Sequence, residues 1–172
     1  MQFVACTQSA HAQAILEILN DAIVHSTALF DYRPRPPEAM AGWFKAKDAG
    51  RYPVIGAVAD GALLGFASYG SFRAWPAYKY TVEHSVYVHR DHRGKGIGEA
   101  LMRRLIDAAR GQDYHVMVGG IDAANEASVR LHQKLGFVHA GTVQQAGFKF
   151  GRWLDLVFYQ LLLETPARPA DG

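Results

Sequence analysis

The stretch from Thr81 to Ala108 limits what this chain can fold into more than any other part of the sequence. It begins with the alternating run TVEHSVYV, turns basic and glycine-rich, and then carries apolar residues at helical spacing, at Ile97, Leu101 and Leu105. This order predicts a β-strand, a loop and an α-helix, one directly after another.

The loop between this strand and helix has the composition of an anion-binding site. It contains three glycines and three basic residues, namely Gly94, Gly96, Gly98, Arg90, Arg93 and Lys95. Glycine lets backbone N–H groups approach a ligand closely, and the positive end of the helix dipole lies at the same place. The expected ligand is therefore a phosphate or a pyrophosphate.

Two common phosphate-binding loops do not match this spacing. A P-loop requires a lysine followed by serine or threonine, but Lys95 is followed by Gly96. A dinucleotide-binding loop requires G-x-G-x-x-G after the first strand, whereas this chain has G-x-G-x-G in its middle. A flexible turn with a solvated basic face is the remaining alternative.

The composition predicts one globular domain. The chain has 172 residues, of which 49% are hydrophobic and 20% charged, and its net charge of +2 argues against a face that tracks nucleic acid. No run approaches the length of a membrane span, and the N-terminal segment MQFVACTQSAHA lacks the pattern of a signal peptide. The single cysteine, Cys6, excludes an internal disulfide. We expect a cytoplasmic protein with a single domain over residues 1–164 and a disordered, proline-rich tail over residues 165–172.

The first half of the chain reads as a strand, two helices and a hairpin. A strand at Phe3–Thr7 precedes a helix for which Ser9 is the candidate cap. The apolar stripe predicted for this helix consists of Ile15, Ile18, Leu19, Ala22 and Ile23. Pro36 or Pro37 suits the first turn of the second helix. The pair Asp60-Gly61 between two apolar runs predicts a tight β-hairpin.

The second half, after the long helix, reads as a strand, a short helix and two more strands. His115–Ile121 is the predicted buried strand, and the short helix ends at Gly136. The last two strands are predicted to be joined by a loop around residues Gly147 to Gly151.

The loop residues Arg93, Gly96 and Gly98 form an R-x-x-G-x-G pattern that resembles the signature of the GNAT acetyltransferase superfamily. The predicted order of elements is similar to the GNAT fold over nearly the whole chain. The resemblance implies an α/β (α+β) GNAT acyl-CoA N-acyltransferase fold, in which helices flank a central mixed, mostly antiparallel sheet. Three separated blocks, TVEHSVYVHRDHRGKGIG, NEASVRLHQKLGF and GFKFGRWLD, resemble the branch that acetylates phosphinothricin and methionine sulfoximine.

This resemblance implies an N-acetyltransferase that uses acetyl-CoA. The expected acceptor is the α-amino group of a small amino-acid analogue of the methionine sulfoximine, methionine sulfone or phosphinothricin type, with detoxification as one role. A homodimer is also expected, with the apolar strand Trp153 to Leu163 as a candidate interface. The alternatives are a related enzyme for another small amine or a peptide N-terminus, a non-catalytic acyl-CoA-binding protein, and a nucleic-acid binder.

The same resemblance implies where acetyl-CoA binds. In the family, the backbone of the central strand pairs with the pantetheine arm and the glycine-rich loop holds the pyrophosphate. The cofactor-binding residues so implied are Val86, Tyr87, Val88, Arg93, Gly94, Lys95, Gly96, Ile97, Gly98, Glu99, Asn125 and Ser128. For Asn125, capping of the short helix is an equally sound local interpretation.

Glu83 and His132 are the candidate catalytic residues. Glu83 interrupts an apolar strand, where a carboxylate is awkward unless it faces a polar cavity, and the resemblance implies that it is the general base. The alternative is an exposed glutamate on an edge, or one in an ion pair. His132 lies where many members of the superfamily have tyrosine and where the phosphinothricin branch has histidine; a packed helix histidine bonded to backbone is its alternative.

Two irregular, aromatic-rich segments are expected to select the substrate. An arginine fork suits an α-carboxylate, and aromatic walls suit a short neutral side chain. The candidate substrate-binding residues are Phe30, Tyr32, Arg73, Trp75 and Tyr78. For Arg73, a solvated loop position is the alternative.

No metal site is expected. His84, His89 and His92 are close in sequence, but their spacing matches no established zinc motif. Acetyl transfer also needs no metal, so the expected small-molecule partners are acetyl-CoA and an amine.

Overall fold

The computed structural model describes residues 1–171, which contain a seven-stranded mixed sheet and four α-helices. The strands follow the order β1-β2-β3-β4-β5-β7-β6. The pair β4–β5 is parallel, and the pairs β1–β2, β2–β3, β5–β7 and β6–β7 are antiparallel. The predicted fold class is confirmed. The elements are β1 (Gln2–Ala5), α1 (Gln8–His25), α2 (Ala39–Ala49), β2 (Val54–Ala59), β3 (Ala62–Ser71), β4 (Thr81–Val88), α3 (Ile97–Gly111), β5 (Val116–Asp122), α4 (Glu126–Lys134), β6 (Val138–Lys149) and β7 (Arg152–Leu162), with short 3-10 helices at Pro76–Tyr78 and Arg90–His92.

The described residues group into two compact units. Unit 1 comprises Met1–Gly70 and Ser85–Leu105, and unit 2 comprises Ser71–His84 and the chain from Ile106 onward. The strand β4 thus gives its first half to unit 2 and its second half to unit 1.

In unit 1, α1 and α2 supply apolar side chains to a common core with β2 and β3. The predicted apolar stripe of α1 is confirmed, and burial of each large side chain contributes about 1.5–3 kcal/mol. The buried cluster consists of Ile15, Leu16, Ile18, Leu19, Met40, Phe44, Val54, Leu63 and Phe66. Trp43 is partly buried against it, with its ring edge-on to Phe44 and Phe66.

Both predicted helix starts in unit 1 need correction. Thr7, rather than Ser9, caps α1, because its hydroxyl oxygen accepts a hydrogen bond from the N–H of Ala10 at 3.4 Å. α2 begins at Ala39, and Pro36 and Pro37 lie in the preceding turn.

The predicted β2–β3 hairpin is confirmed. Ala59 pairs with Ala62, so Asp60 and Gly61 form a two-residue turn, with φ of 51° and 76°. Positive φ at both central positions is the type I′ pattern that matches the twist of the strands.

In unit 2, β5 lies between β4 and β7 and is largely buried. Thr81–Glu83 pair with Val116–Val118 in parallel, and all seven residues of β5 pair with β7. The helix α4 follows its N-cap Asn125 and ends before Gly136, which has φ of 87°, as predicted.

The turn between β6 and β7 lies within the loop predicted around Gly147 to Gly151 but is shorter. Gly147 to Lys149 belong to β6, and the turn is formed by Phe150 and Gly151, with φ of 51° and 73°. The ladder has register shifts earlier in β6, between His139 and Gly141 and between Val143 and Gly147. Pairing with β7 thus extends β6 through Gly147 despite the low strand preference of glycine.

The predicted tail begins at residue 165, and its last residue, Gly172, lies outside the described residues. Within the described part, the backbone of Ala170 exchanges hydrogen bonds of 3.2 Å with the Tyr80 hydroxyl. Among residues 1–171, no helix is both long and apolar enough to span a bilayer.

Candidate functional site

The glycine-rich loop of unit 1 has the backbone shape of an anion cradle. Gly94 and Gly96 adopt φ of 75° and 77°, which side chains with a Cβ rarely adopt. α3 starts at Ile97, so the first N–H groups of this helix have no acceptor within it and open toward the loop. Gly98, which the sequence groups with the loop glycines, lies in the first turn of α3.

The basic side chains of this loop are fixed by contacts within unit 1. Arg93 donates from Nε to the carbonyl oxygen of Val88 at 3.1 Å and from Nη2 to Asp21 Oδ2 at 3.0 Å. Arg90 Nη1 lies 3.4 Å from the other Asp21 oxygen, and Lys95 Nζ donates to the carbonyl of Asp91 at 3.0 Å. Asp21 therefore orders two arginines of the loop.

Asp21 is a residue that the sequence did not reveal. Its side chain is 17% exposed and lies on α1, more than 70 positions before Arg93. No motif joins the two segments, so only the packing of α1 shows the pairing.

The residues predicted to pair with the pantetheine arm lie on the second half of β4. Val86, Tyr87 and Val88 are half-buried, and the ring of Tyr87 packs at 5.5 Å from that of Phe66. The backbone here is approached closely by Gly65 of β3, because a Cβ at Gly65 would lie 2.7 Å from the Tyr87 oxygen.

Glu83 is half-buried on β4, an interior strand of the sheet. Burial raises the pKa of its carboxyl, and the positive charge of Arg73 opposes that rise. Gly120 of β5 leaves room for the carboxylate, since a Cβ there would lie 3.2 Å from Glu83 Oε1. The alternative of an exposed edge glutamate does not hold, and burial makes this carboxylate a better proton acceptor than an exposed glutamate.

His132 is fully buried on α4, and both of its ring nitrogens are engaged. Nδ1 lies 2.7 Å from the carbonyl oxygen of Ser128, and Nε2 lies 2.9 Å from Nε2 of His84. The two ring planes are inclined by 25° with centroids 4.9 Å apart, and Phe137 packs against both rings in T-shaped geometry. Burial lowers the pKa of His132. Burial also lowers the pKa of His84 to about 3, and the neighbouring His132 adds to this lowering.

Sequence reasoning missed His84 and Gly119 as parts of this cluster. Alternation along β4 places His84 on the face opposite Glu83, but a histidine in an apolar strand gives no signal of its partner. A Cβ at Gly119 would lie 2.6 Å from His84 Nε2 and 2.7 Å from His132 Nε2. The consecutive glycines of β5 thus leave space for both candidate groups, Gly119 on one face and Gly120 on the other.

Asn125 and Ser128 have structural roles at the start of α4. The side-chain oxygen of Asn125 accepts the N–H of Ser128 at 3.2 Å, so the capping interpretation is confirmed. Their binding of acetyl-CoA stays a prediction.

The predicted substrate residues lie in two exposed segments, one in each unit. In unit 2, the guanidinium of Arg73 lies 4.8 Å from the ring centre of Phe72, which contacts Tyr78 edge-on at 5.8 Å. Trp75 is 68% exposed and Tyr78 is 43% exposed. Phe30 and Tyr32 lie in unit 1 between α1 and α2, and they are 40% and 74% exposed.

The histidine-rich part of the loop shows local hydrogen bonding. His89 Nδ1 accepts the N–H of Asp91 at 3.3 Å, and the rings of His89 and His92 are 5.5 Å apart. Within residues 1–171, no group of three or more His, Cys, Asp or Glu side chains is arranged to hold a metal ion.

Comparison with known proteins identifies relatives of the whole chain. The model of the acetyltransferase (GNAT) family matches residues 13–137. The L-methionine sulfoximine/L-methionine sulfone acetyltransferase of Salmonella typhimurium is 46% identical over 160 residues, covering 93% of this chain and 94% of that protein. The L-amino acid N-acyltransferase MnaT of Escherichia coli is 45% identical over 162 residues, covering 94% of each chain.

A solved structure shares this fold and contains acetyl-CoA. It is the GNAT superfamily phosphinothricin acetyltransferase from Sinorhizobium meliloti in complex with AcCoA, which is 33% identical and superposes with a TM-score of 0.93. The match covers 99% of this chain and 94% of that one.

Proposed function

We propose that this chain, which belongs to the acetyltransferase (GNAT) family, moves an acetyl group from acetyl-CoA to the α-amino group of a small amino-acid analogue. The chain is an acetyltransferase, and methionine sulfoximine, methionine sulfone and phosphinothricin are the proposed acceptors. The choice of acceptor rests on one observation. The chain is 46% identical, over 93% of its length, to the L-methionine sulfoximine/L-methionine sulfone acetyltransferase of Salmonella typhimurium.

Acetyl-CoA supplies a thioester carbonyl that an amine can attack. The glycine-rich loop fits its pyrophosphate, because two left-handed glycines and the open N-terminus of α3 lie together in unit 1. Arg93 and Arg90 add positive charge that Asp21 orders. We assign the pyrophosphate to the segment from Arg93 to Glu99, and the pantetheine arm to the backbone of Val86–Val88, to Asn125 and to Ser128.

Glu83 is the proposed general base. The amine must lose a proton to attack, and a half-buried carboxyl with a raised pKa is a better proton acceptor than an ordinary glutamate. As the new C–N bond forms and the C–S bond breaks, the proton of the amine passes to Glu83, directly or through water. The departing sulfur must gain a proton, and we assign this second proton transfer to His132.

Arg73 is the proposed anchor for the acceptor's α-carboxylate. Its guanidinium is on the exposed segment before β4, stacked over Phe72, and its charge already acts on Glu83. Trp75 and Tyr78 on the same segment, with Phe30 and Tyr32, are the proposed aromatic walls.

We further propose a homodimer that detoxifies such analogues in the cytoplasm, where acetyl-CoA and amino acids are both available. Support for the dimer comes from exposed apolar side chains on the β6–β7 hairpin, Val138 and Trp153 at 59% and Phe148 at 46%.

The test is thiol release from acetyl-CoA with methionine sulfone, methionine sulfoximine, phosphinothricin, spermidine and a short peptide. We expect turnover only with the three amino-acid analogues, and a fall of about 10²–10⁴-fold in kcat for Glu83→Gln. Glu17→Gln is the matched control, since Glu17 bonds Gln13 on the surface of α1. Turnover confined to spermidine or the peptide would refute the acceptor, and full activity of Glu83→Gln would refute the base.

A further inference from the structure

The hydrogen bonds around His132 determine which of its nitrogens carries the proton. A carbonyl oxygen can only accept, so His132 Nδ1, 2.7 Å from the Ser128 oxygen, must be the donor. In a neutral ring His132 Nε2 is then an acceptor. Burial lowers the pKa of both histidines, which supports the neutral forms.

The contact between the two rings then determines the protonation of His84. The two Nε2 atoms are 2.9 Å apart, and this contact requires one proton between them. Since His132 has no proton to give there, His84 must donate its Nε2–H. Nδ1 of His84 is left with a free lone pair; it is buried and has no hydrogen-bond partner within residues 1–171.

We infer that His84 is a positioning residue, which holds His132 as the neutral Nδ1–H tautomer by donating its own Nε2–H. The catalytic part of this inference rests on the proposed function, in which His132 takes part in proton transfer. In catalytic histidines a hydrogen-bond partner commonly fixes the tautomer in this way, though the partner is usually a carboxylate or a carbonyl.

The surroundings of the pair leave this arrangement little freedom. His84 is 8% exposed and His132 is 1% exposed. Phe137 contacts both rings edge-on, and Gly119 faces both Nε2 atoms, where even a methyl group would intrude. Neither ring can turn without breaking a hydrogen bond in a buried site, which is costly.

The first test is nitrogen-15 NMR of the histidines in the full-length protein at neutral pH, which needs neither substrate nor turnover. We expect Nδ1 to be the protonated nitrogen of His132 and Nε2 that of His84. Protonation of His132 at Nε2, or averaging of either ring between tautomers, would overturn the inference. Because this readout is independent of activity, it stands or falls separately from the proposed function.

The second test compares His84→Gln with His84→Leu. The glutamine amide can donate to His132 Nε2 and leucine cannot, so we expect His84→Gln to keep the His132 tautomer and kcat within about threefold. We expect His84→Leu to leave His132 Nε2 without a donor, which changes the nitrogen-15 shift of that atom, and to lower kcat about 10–100-fold, as removal of partners of metal-bound histidines does, with KM for acetyl-CoA unchanged. His115→Gln is the matched control, since the side chain of His115 is exposed and its Nδ1 bonds the backbone oxygen of Thr165.

Two results would contradict the positioning role. One is a His84→Leu protein that keeps both the wild-type nitrogen-15 shift of His132 Nε2 and wild-type kcat. The other is a His84→Gln protein as impaired as His84→Leu, which would show that donation to His132 is not what His84 contributes. If His84→Leu does not fold, the wild-type spectrum and His84→Gln decide the question.

Discussion

Gly119→Ala is expected to separate the two buried histidines and to cost both stability and activity. The new Cβ would lie 2.6 Å from His84 Nε2 and 2.7 Å from His132 Nε2. An unstrained contact requires about 3.5 Å, so these atoms must move by nearly 1 Å. Overpacking of this kind costs about 1–3 kcal/mol, and a buried N–H that loses its acceptor costs about 1–3 kcal/mol more. The expected loss is therefore about 2–6 kcal/mol.

Thermal unfolding and initial rates measure this loss. For a chain of 172 residues, 1 kcal/mol lowers Tm by about 2–4 °C, so the smallest expected cost lowers Tm by about 4–8 °C. The matched control is Gly141→Ala in β6, where an added Cβ meets no atom within 4 Å; its Tm and kcat should equal those of the wild type. A Gly119→Ala protein whose Tm lies within 2 °C of the wild type, as a rough threshold, with unchanged kcat, would refute the assignment of close packing around the pair.

Three further perturbations test the charges and the thiol. Glu83→Gln should have a higher free energy of unfolding than the wild type at pH 8, and this difference should vanish toward pH 4. Burial raises the pKa of Glu83, so its charged form destabilises the fold only as the pH rises through that pKa. An equal difference at both pH values would contradict this. Arg73→Ala should raise KM for the amino acid far more than KM for acetyl-CoA. It should also move the acid limb of the kcat/KM profile to higher pH, since the charge that lowers the pKa of Glu83 is gone. Lys79→Ala is the control, and proportional changes in both KM values would exclude the anchor role. Burial raises the pKa of the Cys6 thiol to about 11. Cys6 should therefore react slowly with iodoacetamide at pH 8 in the native protein and rapidly in denaturant, as measured by mass spectrometry. Fast labelling of the native protein would contradict the burial of this thiol.

Local sequence patterns were sufficient for most helices and strands. The strand Thr81–Val88, the Asp60-Gly61 turn and the apolar stripe of α1 match the prediction, because each depends on short-range periodicity or on backbone preference. The exceptions lie where long-range pairing decides. The β6–β7 ladder continues through Gly147 because β7 supplies hydrogen bonds that local composition does not indicate.

For the site, the chemical types of the main residues and the family could be inferred from the sequence alone. Glu83 and the glycine-rich loop stand out because a charge in an apolar strand and clustered glycines conflict with local preference. His132 was inferred from the family resemblance, and Arg73 from its place in an aromatic-rich segment. The residues that support them are visible only in the folded chain. His84 contacts His132 from 48 positions away, and Asp21 reaches Arg93 from 72 positions away. Such partners are chosen by packing between distant segments, which no local pattern encodes. For His84, burial then favours the neutral ring.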